Sequence, residues 1–167
     1  MIELRKITLL DEEMKDCIAL NVPKERVDYV DSNAIILSLI FERTRRKLGT
    51  GMRECRAIYA DGKMIGLFTF DYIAESRLFK EACYYIHPFA IDKDSVGMGY
   101  EQAAVIALID EFRKKPFGEA AAVFVMYHPN EKGMAELFSS VGFAKTALDW
   151  SSVGQDNRKD IIVRFAI

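Results

Sequence analysis

Residues 56–72, RAIYADGKMIGLFTFDY, constrain the fold more than any other stretch of the chain. Two runs rich in β-branched and aromatic residues flank Asp61-Gly62, a pair that accepts the positive φ angles of a two-residue type I′ turn. The stretch predicts a β-hairpin. Around it, IELRKI (2–7) alternates as a first strand. LDEEMKDCIAL (10–20) reads as a short helix with acids in its first turn, where the helix dipole favours them. VDSNAIILSLIFERTRRKLG (30–49) reads as a second helix, capped by Asp31 or Ser32, burying Ile35, Ile36, Leu39 and Ile40, and ended by Gly49.

After the hairpin, EACYYIHPFAID (81–92) predicts one further strand. From Tyr100 to about Lys114 the pattern is helical, with Tyr100, Ala103, Ala104, Ala107 and Leu108 on one face. AAAVFVMY (120–127) is apolar without alternation, as a strand covered on both faces would be. In EKGMAELFSSVGF (131–143), Met134, Leu137, Phe138 and Val141 follow the spacing of a helix that stops at Gly142. Two last strands are expected near 143–149 and 159–166. The order implies an antiparallel meander, then a parallel, right-handed strand–helix–strand crossover. The expected class is therefore mixed α/β: a central, mostly antiparallel sheet with helices on both faces.

The 167 residues favour a single domain spanning 1–167. A net charge of −2 and a pI of about 5.8 do not suggest a general nucleic-acid or membrane binder. The basic run at 43–47 reads as a solvated last helical turn rather than a phosphate patch. Three cysteines, Cys17, Cys55 and Cys83, are odd in number and lack metal-ligand spacing, which points to reduced thiols in a cytoplasmic protein and to no metal. The N-terminus lacks a signal peptide's apolar centre, and no apolar run reaches the roughly 18 residues of a membrane span.

The chemistry is carried first by IDKDSVGMGYEQ (91–102). A loop that follows a strand and opens a helix offers unpaired N–H groups and the positive end of a dipole, a natural site for phosphates. Glycine lets that backbone come close. Gly97 and Gly99 alone also fit a plain strand-to-helix turn. The dinucleotide fingerprint fails, because Gln102 stands where its third glycine belongs, and no P-loop pattern is present.

The whole order of elements, with ADGKMIGLFTFDY, YYIHPFAIDKDSVGMGY, YHPNEKGMAELFSSVGF, DIIVRFAI and YVDSN (29–33), resembles the GCN5-related N-acetyltransferases, in particular the branch of bacterial spermine/spermidine acetyltransferases. That resemblance implies acetyl-CoA as cofactor and a small-molecule amine as partner, with a small polyamine favoured. A protein N-terminus is the enzymatic alternative. In the family loop Q/R-x-x-G-x-G/A, Val96 takes the Gln/Arg place, Gly99 the glycine and Glu101 the final small residue, with Gly97, Met98 and Tyr100 between and beside them. Phe89, Ala90 and Ile91 match the strand that hydrogen-bonds the pantetheine arm. Asn130 or Glu131 matches a polar position at the last helix, where simple capping is an equal reading. The family also parts two sheet strands to admit the arm, an edge that Pro88 suits.

His87 is the best candidate base for deprotonating an amine, at a position where the spermine/spermidine enzymes carry a carboxylate; simple packing explains it as well. His128 is read as a loop surface residue. The family's acid is a Tyr four residues before the Gly-Phe pair, and here that residue is Phe138. Tyr127 or Tyr100 are nearby phenols that could replace it. Asp31, Asp71 and Glu75 are candidate carboxylates for a cationic amine. Because Phe138, Val96 and Glu101 depart from the family pattern, a non-catalytic acyl-CoA-binding module stays open. Many members of the family form dimers, so a homodimer is the assembly to test.

Overall fold

The computed structural model describes residues 1–7, 13–28, 35, 37–38, 52–87, 89–153 and 159–167. Its strands are β1 (Ile2–Lys6), β2 (Met52–Ala60), β3 (Lys63–Ile73), β4 (Cys83–Ile86), β5 (Ala90–Ile91), β6 (Ala122–Tyr127), β7 (Ala144–Lys145) and β8 (Ile161–Ala166). The helices are α1 (Glu13–Ala19), α2 (Tyr100–Phe112) and α3 (Met134–Val141). The sheet runs β1-β2-β3-β4-β6-β8-β7, and β5 pairs with β3 beyond the end of β4. Among the described strands, β4 and β6 form the one parallel pair, joined through α2 as a crossover; the others are antiparallel.

The predicted hairpin forms at β2–β3. Asp61 and Gly62 have φ of 50° and 82°, and Ala60 pairs with Lys63 across the turn. Helices cover both faces, as expected. On one face α2 and α3 pack against Phe68, Phe70, Tyr84 and Ile86. On the other, Cys17 of α1 and Leu37 meet Cys55, Ala57 and Leu67. Every residue of β6 is buried, which explains its unbroken apolar sequence.

Four expectations are corrected. The strand at 81–92 is two short strands rather than one, because the chain carries an extra residue between them (below). The buried face of α2 is Ala104, Val105, Leu108, Ile109 and Phe112, whereas Tyr100, Ala103 and Ala107 are half-buried along its border. The helix is turned so that Val105, Ile109 and Phe112, rather than Tyr100, Ala103 and Ala107, join Ala104 and Leu108 in the core. The strand near 143–149 is only Ala144–Lys145. In the segment read as a second helix, positions 35, 37 and 38 are helical, with Leu37 buried and Ile35 exposed, so the buried stripe does not start at Ile35. Asp31, Ser32, Ile36, Leu39, Ile40, Gly49 and the basic run lie outside the described residues.

The three cysteines are buried, and none is in a disulfide. Burial pushes the thiols of Cys17 and Cys83 up to about 12 and that of Cys55 up to about 11, which keeps them protonated and poorly reactive. No described helix is long and apolar enough to cross a membrane, and no cluster of His, Cys, Asp and Glu suited to a metal occurs among the described residues.

Phe112 ties α2 to the sheet. Its ring stacks on Tyr84 at 4.2 Å and meets Phe70 edge-on at 4.8 Å. Phe112→Ala should cost about 3–5 kcal/mol in urea unfolding at an unchanged m-value. A loss below about 1 kcal/mol would show that α2 is held by other contacts.

Candidate functional site

Phe70 pairs with Ile86, and Leu67 pairs with Ala90. Between these pairs, three residues of one strand face two of the other, which is a β-bulge between Ile86 and Ala90. Pro88 itself lies outside the described residues. The His87 N–H donates to Thr69 O at 2.9 Å and the Asp92 N–H to Ile65 O at 2.7 Å, so β3 keeps its partner on both sides of the bulge. β6 does not follow. Its parallel pairing with β4 ends at Ile86↔Val125, while β6 itself runs on to Tyr127 along β8.

The two strands therefore part after Ile86. Backbone groups alternate sides along a strand, and Asp92 points its N–H at β3. Ile91 consequently turns its own N–H and C=O into the gap. Such groups want a partner. The Phe89 and Ile91 side chains are buried.

The gap leads to the head of α2. Asp92 shapes the approach: its Oδ1 accepts from the Asp94 N–H at 3.1 Å and its Oδ2 from the Asn21 N–H at 2.8 Å, while the Lys93 N–H donates to Asn21 O at 2.8 Å. The loop is thus pinned to the chain that follows α1. Gly97 and Gly99 then take φ of 78° and 77°, left-handed values that only glycine adopts at little cost. Gly99 is the N-cap of α2 and has no side chain to occupy the first-turn N–H groups. A Cβ placed on either glycine would meet nothing within 4 Å, so the space before these amides is open. Open space and free donors fit a pyrophosphate. Val96 and Met98 flank the cradle exposed to solvent, while Tyr100 and Glu101 are half-buried.

Beside the bulge stands a polar cluster. Arg53 pairs across the sheet with Asp71, and Asp71 with Tyr85, which puts all three on one face. Arg53 donates from Nε to Asp71 Oδ1 and from Nη2 to Oδ2, both at 2.6 Å. His87 Nε2 lies 2.9 Å from Asp71 Oδ2 and 2.8 Å from Arg53 Nη2. The Tyr85 ring meets the imidazole edge-on at 4.6 Å. Burial alone would raise the pKa of Asp71, but hydrogen bonds from Arg53 and His87 outweigh it and hold the carboxyl well below the usual range.

The remaining candidates lie around the gap. Phe138 is 2% exposed, with its ring against Phe89, Tyr127 and Phe143. Tyr127 is buried and stacked on Phe138 at 5.9 Å, and burial raises its phenol further. Glu131 is buried in an ion pair with Arg26, whose guanidinium lies 5.9 Å from the Phe89 ring centroid. Asn130 is exposed, and its N–H donates to His128 Nδ1 at 3.2 Å. Glu75 is exposed in the loop after β3, and Asp31 lies outside the described residues. The structure thus brings His87, Asp71, Phe89, Phe138 and Tyr127 to the parted strands and leaves Glu75 away from the polar cluster. Arg53 and Arg26 were not singled out in the sequence.

No family model and no curated protein matches the sequence. Solved structures do match in shape. A chain from Desulfovibrio desulfuricans assigned to the GNAT family of acetyltransferases superposes with a TM-score of 0.64 at 14% identity, over 99% of both chains. The PaiA N-acetyltransferase of Thermoplasma acidophilum, in complex with coenzyme A, gives 0.64 at 13% identity over 100% of this chain and 99% of that one. The Campylobacter jejuni N-acetyltransferase PseH, in complex with acetyl coenzyme A, gives 0.60 at 12% identity over 99% of both. At these identities the likeness establishes the fold: this chain has the GNAT architecture.

The charge on Asp71 should register in acid stability. Its folded pKa is depressed, so its pairing stabilises the fold above the unfolded value, about 3.9, and is lost as pH falls towards the folded value. Wild-type stability should therefore fall between about pH 5 and 2 more steeply than that of Asp71→Asn, which should start lower at pH 7. Parallel curves from chemical denaturation across that range would mean that the pair contributes nothing.

Proposed function

We propose that the protein is an acetyl-CoA-dependent N-acetyltransferase acting on a primary amine. The observation that carries this is the parting of β4 and β5 from β6 directly before the open glycine cradle at the head of α2. One feature offers backbone hydrogen bonds to an amide-bearing arm, and the other offers N–H groups to a pyrophosphate. A coenzyme with both parts, in that order along its length, suits the pair. Solved GNAT-fold structures with coenzyme A and acetyl coenzyme A support the same assignment.

Bound there, acetyl-CoA supplies an activated acyl thioester. The chain's own groups do the rest. The amides of residues 97–101 neutralise phosphate charge, Phe89 and Ile91 align the arm, and His87 removes the proton that keeps an amine from attacking. The buried ring of Phe138 gives the site a dry wall but no proton. Tyr127, stacked on it, is the nearest phenol in that cluster. Glu101 sits in the first turn of α2, where its carboxylate is half-exposed to solvent.

For the amine we favour a small polyamine such as spermidine or spermine. This rests on the sequence likeness of YVDSN and the central segments, and on the carboxylates Asp31 and Glu75. Asp71 has its charge taken up by Arg53. A protein N-terminus is the alternative acceptor. Phe138, lacking the hydroxyl of the family's acid, favours a second reading, a module that binds acyl-CoA without turnover. We place the protein in the cytoplasm, as its cysteine usage suggests.

CoA at 100 times its Kd should stabilise the protein by about 2.7 kcal/mol. In Gly99→Val a branched side chain would project into the open cradle, and the positive φ would also strain the backbone. The variant should thus melt lower without ligand and lose the CoA-induced shift. A full shift in Gly99→Val would place the cofactor elsewhere. Free thiol release from acetyl-CoA with spermidine in the wild type separates the enzyme from the binding module.

A further inference from the structure

The ring nitrogen that faces Asp71 decides what His87 can do; for the source of the proton, this inference rests on the acetyltransferase reading above. Nε2 lies 2.9 Å from Asp71 Oδ2 and 2.8 Å from Arg53 Nη2, and Nη2 lies 2.6 Å from the same Oδ2. Two arrangements compete. With the proton on Nε2, both the ring and the guanidinium donate to Oδ2. The two N–H bonds converge on an ionised oxygen, and neither hydrogen lies between the nitrogens. With the proton on Nδ1, Nη2 can give one of its two hydrogens to Oδ2 and the other to Nε2, but the bare lone pair of Nε2 then lies 2.9 Å from an ionised oxygen that has lost the ring as a donor.

The side chain of Asp71 is only 14% exposed, so water cannot freely replace the ring as its donor. Oδ1 is already engaged by Arg53 Nε. A carboxylate held ionised in a half-dry site takes the donor it is offered. The first arrangement is the favourable one.

We infer that Asp71 and Arg53 are positioning residues that hold His87 as the Nε2–H tautomer, which makes Nδ1 the ring atom that takes the proton from the acceptor amine. The imidazole is 21% exposed, and among the described residues Nδ1 makes no hydrogen bond. The edge-on contact of Tyr85 hinders rotation of the ring. The bulge sets His87 at the end of β4, where the strands part. Proton and electrons balance without another reactant. Nδ1 accepts the proton that the amine sheds as its lone pair forms the C–N bond. The C–S electron pair leaves with the coenzyme's sulfur, and the imidazolium returns the proton to it.

The logic is that of a carboxylate that fixes a histidine tautomer in acyl transfer. It also gives Asp71 a role different from that of a subsite for a cationic substrate. Among the described residues, the charged groups facing His87 are Arg53 from β2 and Asp71 from β3, and from β4 it meets only the neutral Tyr85. Arg53 opposes an imidazolium and Asp71 favours one. Losing either therefore moves the pH–rate profile in opposite directions, which a purely structural role would not do.

The test is the ¹⁵N spectrum of the His87 ring with long-range proton correlation, which needs no turnover. Above the ring's titration, the wild type should show a protonated Nε2 and a bare Nδ1. In Asp71→Asn the charge that holds the proton on Nε2 is gone, Arg53 Nη2 is left to donate to Nε2, the proton moves to Nδ1, and kcat should fall about 10²–10⁴-fold with KM for acetyl-CoA unchanged. A wild-type ring protonated on Nδ1 overturns the inference, and that spectrum decides even if Asp71→Asn does not fold. A folded Asp71→Asn protein with the wild-type tautomer or wild-type kcat overturns it too. A wild-type ring protonated on Nε2 in a protein that acetylates no amine supports the positioning role and overturns the acetyltransferase reading.

Discussion

One extra residue in a strand organises the site. β3 is paired along its length, first with β4 and then with β5, and the bulge between them bends that partner away from β6. The cost is backbone: Ile91 turns an N–H and a C=O into a gap where no described strand meets them. Sheets tolerate this where something else supplies the missing bonds. The same bend carries the chain past Asp92 into the glycine loop, so the gap and the cradle are consecutive along one path. It also ends β4 at Ile86, so that His87 follows directly and its imidazole stands at the mouth.

The polar cluster follows from the same geometry. Arg53, Asp71 and Tyr85 share a row across three strands, and His87 lies two residues beyond Tyr85. Packing keeps water scarce, so each charge depends on its neighbour. Removing one partner would leave another buried and uncompensated, a far larger effect than the pair's net contribution to stability. The cluster is therefore a rigid unit. By the gap, Phe89, Phe138, Tyr127 and Phe143 make an apolar wall.

Much of this was legible in the sequence, and what was not has a definite cause. Asp61-Gly62 gave the hairpin because the turn demands positive φ, and the apolar run at 122–127 gave a strand buried on both faces. Gly97 and Gly99 gave the cradle for the same reason as the turn. Arg53 was invisible because of a second bulge. Counting back from the Ala60↔Lys63 pair puts Met52 opposite Asp71, but the register slips between Ile58 and Tyr59, and Arg53 takes that place. A slip of one residue swaps the faces of a strand, and nothing in the local pattern announces it. The break in the strand at 81–92 escaped for a similar reason: only the pairing with β3 shows the extra residue. The pair of Glu131 with Arg26 joins residues 105 apart in sequence, beyond any local signal.

The central claim is that one ligand spans the parted strands and the glycine cradle. Amide hydrogen exchange with and without CoA tests it at the residues concerned. The account predicts slowed exchange at Phe89, Ile91 and the amides of residues 97–102, with little change in α1 or β1. CoA that binds yet protects neither the gap nor the cradle would contradict it.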